Sequence, residues 1–198
     1  DLNVEGNLKN TADIQTKNNI EINGKNTENT GLIVADKKIN INSDNINNTN
    51  KLVAKDTLDI NNKVLTNSGK IYSGNETKII NQKINNLGDI TSSGKIDINS
   101  TDIENNNILA NGDISINTKE LKSKGKIYSD KNVSLISNNI ENNELTAKKL
   151  KIVTDNLNNN AKVTTTANMD ITAKKLVNKG MIYIFNREKW FKSNRFKK

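Results

Sequence analysis

A repeat of 18 or 19 residues runs through almost the whole chain and restricts the folds that the chain can adopt. Ten successive lines begin with Ile, Leu or Val when the sequence is divided at this period. The ten starts are Ile14, Ile33, Leu52, Ile71, Ile90, Ile108, Ile127, Leu145, Val163 and Ile182. A unit this short cannot bury its own apolar face, so each unit must be stabilised by its neighbours.

Further positions of the repeat are restricted to particular residue types. A small residue follows two positions after the start, an apolar pair six and eight positions after, and another aliphatic residue thirteen after. Asn lies fifteen positions after the start, Ser123 is its single substitution, and Gly often follows. Thr27 breaks the aliphatic column, and the line from Ile71 keeps only Ile79 of its pair. The Asn column consists of Asn29, Asn48, Asn67, Asn86, Asn105, Asn142, Asn159 and Asn178.

Within each line the apolar residues alternate with polar ones, which is the period of a β-strand. Ile, Val and Thr favour extended backbone, and the intervening Asn, Asp, Lys and Gly are turn residues. No line shows the spacing of an amphipathic helix. The sequence therefore predicts an all-β chain in which a short strand pair repeats as about nine coils of a single-stranded parallel β-helix. Coils about 4.8 Å apart would form a rod about 45 Å long.

The Asn column has two structural interpretations, which we expect to act together. A turn at this point would need φ values that Asn tolerates better than most residues. Stacked Asn side chains can also hydrogen-bond through their amides from coil to coil. The column of small residues predicts a corner at which the backbone of successive coils approaches closely.

Composition excludes several kinds of active site. The chain has no Cys, His or Pro, which excludes disulfides, Cys/His zinc sites and Ser-His-Asp catalysis. The formal net charge is +8, of which the last 14 residues contribute +5. The remaining body is nearly balanced, so we expect no nucleic-acid partner.

The sequence provides no catalytic, cofactor-binding or metal-binding residue, and we expect no enzyme activity, cofactor or specific small-molecule ligand. Acidic side chains such as Asp89, Asp97 and Asp113 are scattered and do not form a column. Calcium nonapeptides and phosphate-binding Gly loops do not occur. Thr164, Thr165 and Thr166 form one local cluster rather than the Thr ladder of an ice-binding surface. A polysaccharide-active β-helix enzyme remains a third functional hypothesis.

The combined pattern resembles the repeats of filamentous haemagglutinins, and the segments 52–70 and 108–126 show it most clearly. This family consists of large exported bacterial proteins of the two-partner secretion type. The resemblance implies a right-handed parallel β-helix, location outside the cell or on the outer membrane, and a structural and adhesive role in virulence. It further implies an outer-membrane transporter as partner of the full-length protein, and a host glycan or matrix protein as ligand.

A second hypothesis within the same resemblance is the shaft of a contact-dependent toxin-delivery protein without its C-terminal effector. The Asn-Pro-Asn motif of the family's secretion domain is missing because the chain has no Pro. We therefore expect a fragment of a stalk, with a repeat array over residues 1–184. Residues 185–198 break the repeat and are rich in basic and aromatic residues. They are interpreted as a disordered or non-native end, with binding to a membrane or anionic polymer as the alternative.

Overall fold

The structure, a computed structural model, describes residues 1–185, which form a stack of short β-strands. In chain order the strands are β1 Leu2–Glu5, β2 Leu8–Asn10, β3 Asp13–Thr16, β4 Ile20–Asn29, β5 Leu32–Ala35, β6 Ile39–Asn48, β7 Lys51–Ala54, β8 Thr57–Asn67, β9 Lys70–Ser73, β10 Glu76–Ile80, β11 Lys83–Ser92, β12 Lys95–Asn99, β13 Asp102–Ala110, β14 Ile114–Asn117, β15 Glu120–Ser129, β16 Asn132–Ala147, β17 Lys149–Thr165, β18 Met169–Asn178 and β19 Met181–Ile184. The strands contain the β-branched and alternating residues that predicted them.

Each coil contributes three strand segments rather than the expected pair, so the stack has three faces. Face A contains the apolar pair, as in Ile39 and Ile41, which lie beside Leu58 and Ile60 of the next coil. Face B contains the aliphatic residue and the Asn, and face C contains the line start and the small residue. The face C strands β5 and β7, for example, pair through Ile33 and Leu52. We name the bends between faces the A–B, B–C and C–A corners.

Every strand pairing in residues 1–185 is parallel and joins one coil to the next. The stack has about ten coils, close to the expected nine. The prediction of an all-β parallel solenoid is therefore confirmed. At the spacing of paired strands, the rod is about 45 Å long.

The interior is a continuous apolar column filled by the predicted residues. Inward side chains of all three faces are almost fully buried, and examples are Ile41 at 0%, Leu65 at 0% and Ile127 at 0% exposure. Burial of each such aliphatic side chain contributes about 1.5–3 kcal/mol. At the two ends the corresponding residues are only partly buried, as are Val4 and Ile171, because a coil covers them on one side alone.

The repeat length varies because corners, not strands, lose or gain a residue. At the B–C corner the pairing of β11 with β13 loses one residue, and the pairing of β16 with β17 gains one. On both sides of each shift the inward residues stay aligned, as Ile84 with Ile103 and Ile90 with Ile108. Changes of coil length therefore leave the interior column intact.

The two exceptions in the apolar columns are explained by buried hydroxyl pairs. Thr27, 2% exposed, lies 2.7 Å from the hydroxyl of Ser43. Thr77, 0% exposed, donates a hydrogen bond of 2.8 Å to Ser73 in the same interior. Ser73 in turn donates to Ser92 at 2.8 Å. Each of these inward hydroxyls thus has a partner, which removes most of the cost of its burial.

The Asn column forms the expected amide ladder inside face B. Each Nδ2 donates to the Oδ1 of the next coil, at 2.7 Å from Asn29 to Asn48 and from Asn48 to Asn67. The same Nδ2 lies within reach of a backbone carbonyl of that next coil, as from Asn29 to Lys51 at 3.1 Å. The expectation of unusual φ values at these Asn residues is wrong, because no non-glycine residue in 1–185 has a positive φ. The amide bonds, rather than a turn conformation, account for the column.

Ser123 interrupts this ladder. Asn105 donates to the Ser123 hydroxyl at 3.3 Å. The Oδ1 atom of Asn142 in the following coil is buried and has no hydrogen-bond donor among the described residues. Beyond this break the ladder resumes from Asn142 to Asn159 and from Asn159 to Asn178, at 3.1 and 2.8 Å.

Ion pairs on the outside also join neighbouring coils. Examples are Lys63 with Asp44 at 3.0 Å and Lys95 with Glu76 at 2.9 Å. The hydrogen bond and the charge of Glu76 raise the pKa of Lys95. A similar contact with Lys124 lowers the pKa of Glu104. All these groups are solvent-exposed, so each pair contributes little to stability.

Candidate binding surfaces

The acidic side chains of the described residues are not gathered into a metal-holding group. Residues 1–185 contain no group of three or more His, Cys, Asp or Glu side chains placed to hold a metal ion. Asp89 accepts a hydrogen bond from Asn107 on face C, whereas Asp97 belongs to the face A strand β12. Asp113 lies at a C–A corner and accepts from Asn132. Asp89 therefore lies on a different face from Asp97, and the three carboxylates do not form a column.

The cluster of three Thr residues is divided by the strand alternation. Thr165 is 0% exposed and belongs to the interior column of face C. Thr166 is exposed after the end of β17. The cluster does not form one surface. Within residues 1–185, moreover, no helix has the length and apolar character needed to cross a membrane.

An uncharged stripe follows the outside of face C from one end of the rod to the other. It is formed by the residue directly after each line start, and none of the ten is charged. The stripe consists of Gln15, Val34, Val53, Tyr72, Thr91, Leu109, Tyr128, Thr146, Thr164 and Tyr183. Charged side chains flank the stripe on face C, such as Lys70 and Asp89, and others lie on face A and face B, such as Asp59 and Glu104. The stripe is thus a column of uncharged side chains within a charged surface.

Neighbouring groups fix the tyrosines of the stripe in place. The ammonium groups of Lys70 and Lys126 lie 5.7 and 4.9 Å from the ring centres of Tyr72 and Tyr128, within cation–π range. The Tyr72 hydroxyl lies 2.8 Å from that of Ser93. The Tyr128 hydroxyl donates to Asp130, and this bond together with partial burial raises the pKa of Tyr128. A tyrosine side chain presents an apolar ring face together with a polar hydroxyl, which suits binding to sugars and proteins.

A second column, at the A–B corner, contains small and polar residues. It lies ten positions after most line starts and contains Gly24, Ser43, Asn62, Asn81, Ser100, Thr118, Ser137, Thr154 and Ala173. The Thr118 hydroxyl lies within hydrogen-bond distance of two carbonyls, 2.8 Å from Thr101 of the preceding coil and 3.1 Å from Glu120. Ser137 and Thr154 repeat this arrangement. These hydroxyls therefore connect neighbouring coils at the corner.

A groove of about 660 Å³ lies along this corner, between Ser100 and Ala173. Its apolar lining comes from Ile136 and Val153, whose side chains are 47% and 36% exposed. Amides of Asn99, Asn117 and Asn138 add polar groups at its surface. The groove thus offers aliphatic contacts beside amide groups, an arrangement that supports binding of an extended uncharged ligand.

The charged residues of the groove are Lys119, Asp155 and Lys174. Asp155 is the single carboxylate of its lining and lies 2.7 Å from the ammonium of Lys174. A pair of carboxylates for general acid–base catalysis is therefore not assembled in this groove.

The stripe and the corner column are absent from the sequence predictions, although both leave a signal. The stripe position is uncharged in every line, and the corner column is small or hydrogen-bonding in every line.

Of the basic aromatic segment 185–198, residues 186–198 lie outside the described residues. Phe185 donates its backbone N–H to Thr165 at 2.7 Å.

We compared the chain with known protein families, curated proteins and solved structures. No family model, no curated protein and no solved structure matches the chain.

Proposed function

We propose that the chain is part of a stalk of the filamentous haemagglutinin type, exposed on or released from a bacterial cell, with a structural and adhesive role. The observation that carries this proposal is the unbroken interior column over about ten coils. Such a column makes a straight element whose length grows by about 4.8 Å with each added unit. A stalk needs this property, because it must hold a distant part of a molecule away from the cell.

The adhesive part of the proposal rests on the uncharged stripe of face C. Charged residues are ordinary on a solvated β-surface, and their exclusion from this one position in ten successive coils leaves an uncharged track about 45 Å long. Tyr72 and Tyr128 are placed on this track with their hydroxyls oriented by hydrogen bonds. A host-cell glycan or an extended segment of a matrix protein fits a track of this shape, because both present repeated polar and apolar groups along a line.

Surface labelling of the producing bacterium tests the location. Antibodies raised against the purified chain should bind intact cells or the culture medium, and brief protease treatment of intact cells should remove the cell-bound signal. A signal that appears only after the cells are permeabilised would contradict the proposal. Deletion of the gene then separates the two roles: loss of adherence supports the adhesin, and loss of growth inhibition of neighbouring cells supports the toxin shaft.

Binding by the stripe is tested with the purified chain and host cells or immobilised matrix proteins. Tyr72→Ala combined with Tyr128→Ala should weaken binding about tenfold or more. Ile80→Ala is the matched control, since Ile80 is 42% exposed on face A and belongs neither to the stripe nor to the lining of the groove. Equal binding by both variants, with unchanged circular dichroism, would show that the stripe is not the contact surface.

A further inference from the structure

We propose that the groove along the A–B corner binds an uncharged, extended oligosaccharide, with one sugar ring over each coil. This site lies on a different side of the rod from the stripe of face C and does not depend on the adhesive role of that stripe. Five consecutive coils form its face A wall through one column of aligned residues: Asn99, Asn117, Ile136, Val153 and Thr172. Five coils span four rises, or about 19 Å. The lining of the groove therefore repeats along the rod axis at the coil spacing.

The amide groups of this groove are open to a ligand. The side chains of Asn99, Asn117 and Asn138 are exposed and line the groove. Within residues 1–185 none of these three amides hydrogen-bonds to another protein group, whereas the amide of Asn156 donates to Asn139 of the preceding coil at 2.6 Å. An amide both donates and accepts hydrogen bonds, and so does a sugar hydroxyl. The free amides can therefore pair with hydroxyls of an uncharged sugar.

Ile136 and Val153 supply the apolar part of the wall. They are neighbours in the column and are 47% and 36% exposed. The C–H groups of a pyranose ring form an apolar face, and covering aliphatic side chains with such a face is favourable in proportion to the apolar area removed from water. Asn117 precedes Ile136 in the column, and Asn138 lies across the corner in the same coil as Ile136. A ring on Ile136 would thus have an amide on two sides.

The spacing of the coils favours a glycan over a peptide. In an extended glycan with equatorial linkages, each ring advances the chain by nearly the height of one coil, about 4.8 Å, so successive rings meet equivalent positions. An extended peptide directs a side chain to the same side only about every 6.7 Å, which does not match the coils. A peptide would also find few backbone partners, because the strands of faces A and B along the groove already pair with neighbouring coils.

The charges around the groove favour an uncharged ligand over an acidic one. No residue of the face A column is charged in the nine coils from Asn23 to Thr172. On the face B wall, Asp155 and Lys174 lie 2.7 Å apart and neutralise each other. Lys119 is then the remaining charged residue of the lining. A glycan with a carboxylate on every ring or every second ring would meet too few cations to offset the desolvation of its charges.

Isothermal titration calorimetry of the full 198-residue chain with uncharged linear pentasaccharides tests the site. The probes are cellopentaose, mannopentaose, xylopentaose and chitopentaose, which all have equatorial linkages. We expect at least one of them to bind at one site per chain. The trisaccharide of the same sugar should bind about tenfold or more weakly, because it covers fewer coils. Maltopentaose, which is uncharged but curved by its axial linkages, should also bind more weakly.

A pair of substitutions locates the binding in the groove. Asn117→Ala combined with Ile136→Ala removes an amide and a neighbouring aliphatic side chain and should weaken binding of the pentasaccharide about tenfold or more. The matched control combines Asn61→Ala with Ile80→Ala, which are the same two residue types at neighbouring positions of the same column outside the groove. This control should bind like the unmodified chain. Circular dichroism shows whether each variant is folded.

Three results would overturn the proposal. One is failure of all four pentasaccharides to bind at millimolar concentration, and another is equal loss of binding in the groove variant and its control. The third is tighter binding of an acidic pentamer of galacturonate than of every uncharged one. The variant with Tyr72→Ala and Tyr128→Ala should keep its pentasaccharide binding, so the groove and the proposed adhesive stripe are tested separately.

Discussion

At the scale of single residues, the Asn ladder is the most regular polar feature of the molecule. Face B places one amide per coil in a nearly anhydrous interior, where Asn48, Asn67 and Asn159 are each 0% exposed. An amide has a donor and an acceptor on the same group, so a stack of identical side chains can satisfy itself. Neither Asp nor Leu has both functions, which explains why the column is almost purely Asn.

Substitution of one ladder residue should be costly. Asn67→Ala removes the acceptor for Asn48 and the donor for Asn86, and it leaves the buried Oδ1 of Asn86 without its side-chain donor. We expect the free energy of unfolding to fall by about 2–4 kcal/mol, measured by urea denaturation. Asn61→Ala, on the exposed side of face A, is the control and should change stability by less than about 0.5 kcal/mol. Equal effects of the two substitutions would disprove the structural role of the ladder.

Repair of the break in the Asn ladder at Ser123 should raise the free energy of unfolding. Ser123→Asn supplies an Nδ2 donor to the buried Oδ1 of Asn142, which lacks a donor among the described residues. We expect a gain of about 1 kcal/mol in the free energy of unfolding. Ser115→Asn adds the same side chain at an exposed position and should leave the urea midpoint unchanged. A destabilised Ser123→Asn would mean that the coil at Ser123 has no room for an amide.

Residue-scale features differ in how well the sequence alone predicts them. Asn67 and its equivalents were predictable because one residue type recurs at one position. Thr118 and Ser137 at the A–B corner were not predictable. Their column also contains Gly, Asn and Ala, so its members share no residue type and are alike only in being small or able to hydrogen-bond. The hydroxyl pair of Thr27 and Ser43 joins two columns 16 positions apart, and only three-dimensional stacking shows that they meet.

At the scale of the element, the unit is one coil, and its corners determine how closely coils approach. At the B–C corner the backbone of successive coils comes close enough to exclude a side chain. A Cβ added to Gly88 would lie 2.0 Å from the carbonyl oxygen of Gly69, and one added to Gly69 would lie 2.1 Å from that of Asn50. These glycines are therefore needed for the close approach, not for a left-handed conformation.

Gly88→Ala should force the two coils apart at this corner. We expect a loss of about 1–3 kcal/mol in the free energy of unfolding, with hydrogen exchange accelerated in β11. Asn50→Ala is the control, because Asn50 occupies the same column and already has a Cβ. If Gly88→Ala proved as stable as the control, the corner would be more open than the structure indicates.

The element scale also shows which part of the fold was accessible from sequence. The period, the parallel stacking and the inward columns followed from alternation and spacing, and all three are confirmed. The third strand segment per coil was missed because β4, β6 and β8 pass through the A–B corner without a break. Only β4 has a Gly at this bend, Gly24, whereas β6 and β8 have Ser43 and Asn62 there, so the sequence gives no regular turn signal.

At the scale of the whole molecule, stability should decrease from the middle of the rod toward its ends. Central coils have neighbours on both sides, whereas the coils of Val4 and Ile171 have one. In a linear array, opening starts where the fewest contacts must be broken.

Native-state hydrogen exchange followed by mass spectrometry checks this gradient. Amides of β8, β11 and β13 should exchange about 100-fold or more slowly than those of β1 and β18. Uniform protection along the monomer would instead indicate a single cooperative unit without weak ends.

The direction of the backbone hydrogen bonds has a mechanical consequence. They run parallel to the rod axis. A pulling force along that axis therefore acts with the same strength on the hydrogen bonds between every pair of neighbouring coils. A coil that detaches releases about 60 Å of chain, more than tenfold its height of about 4.8 Å in the stack. The rod should therefore lengthen by discrete steps under a pulling force, one turn peeling away at a time, and each step would dissipate energy while the rest of the shaft stays intact.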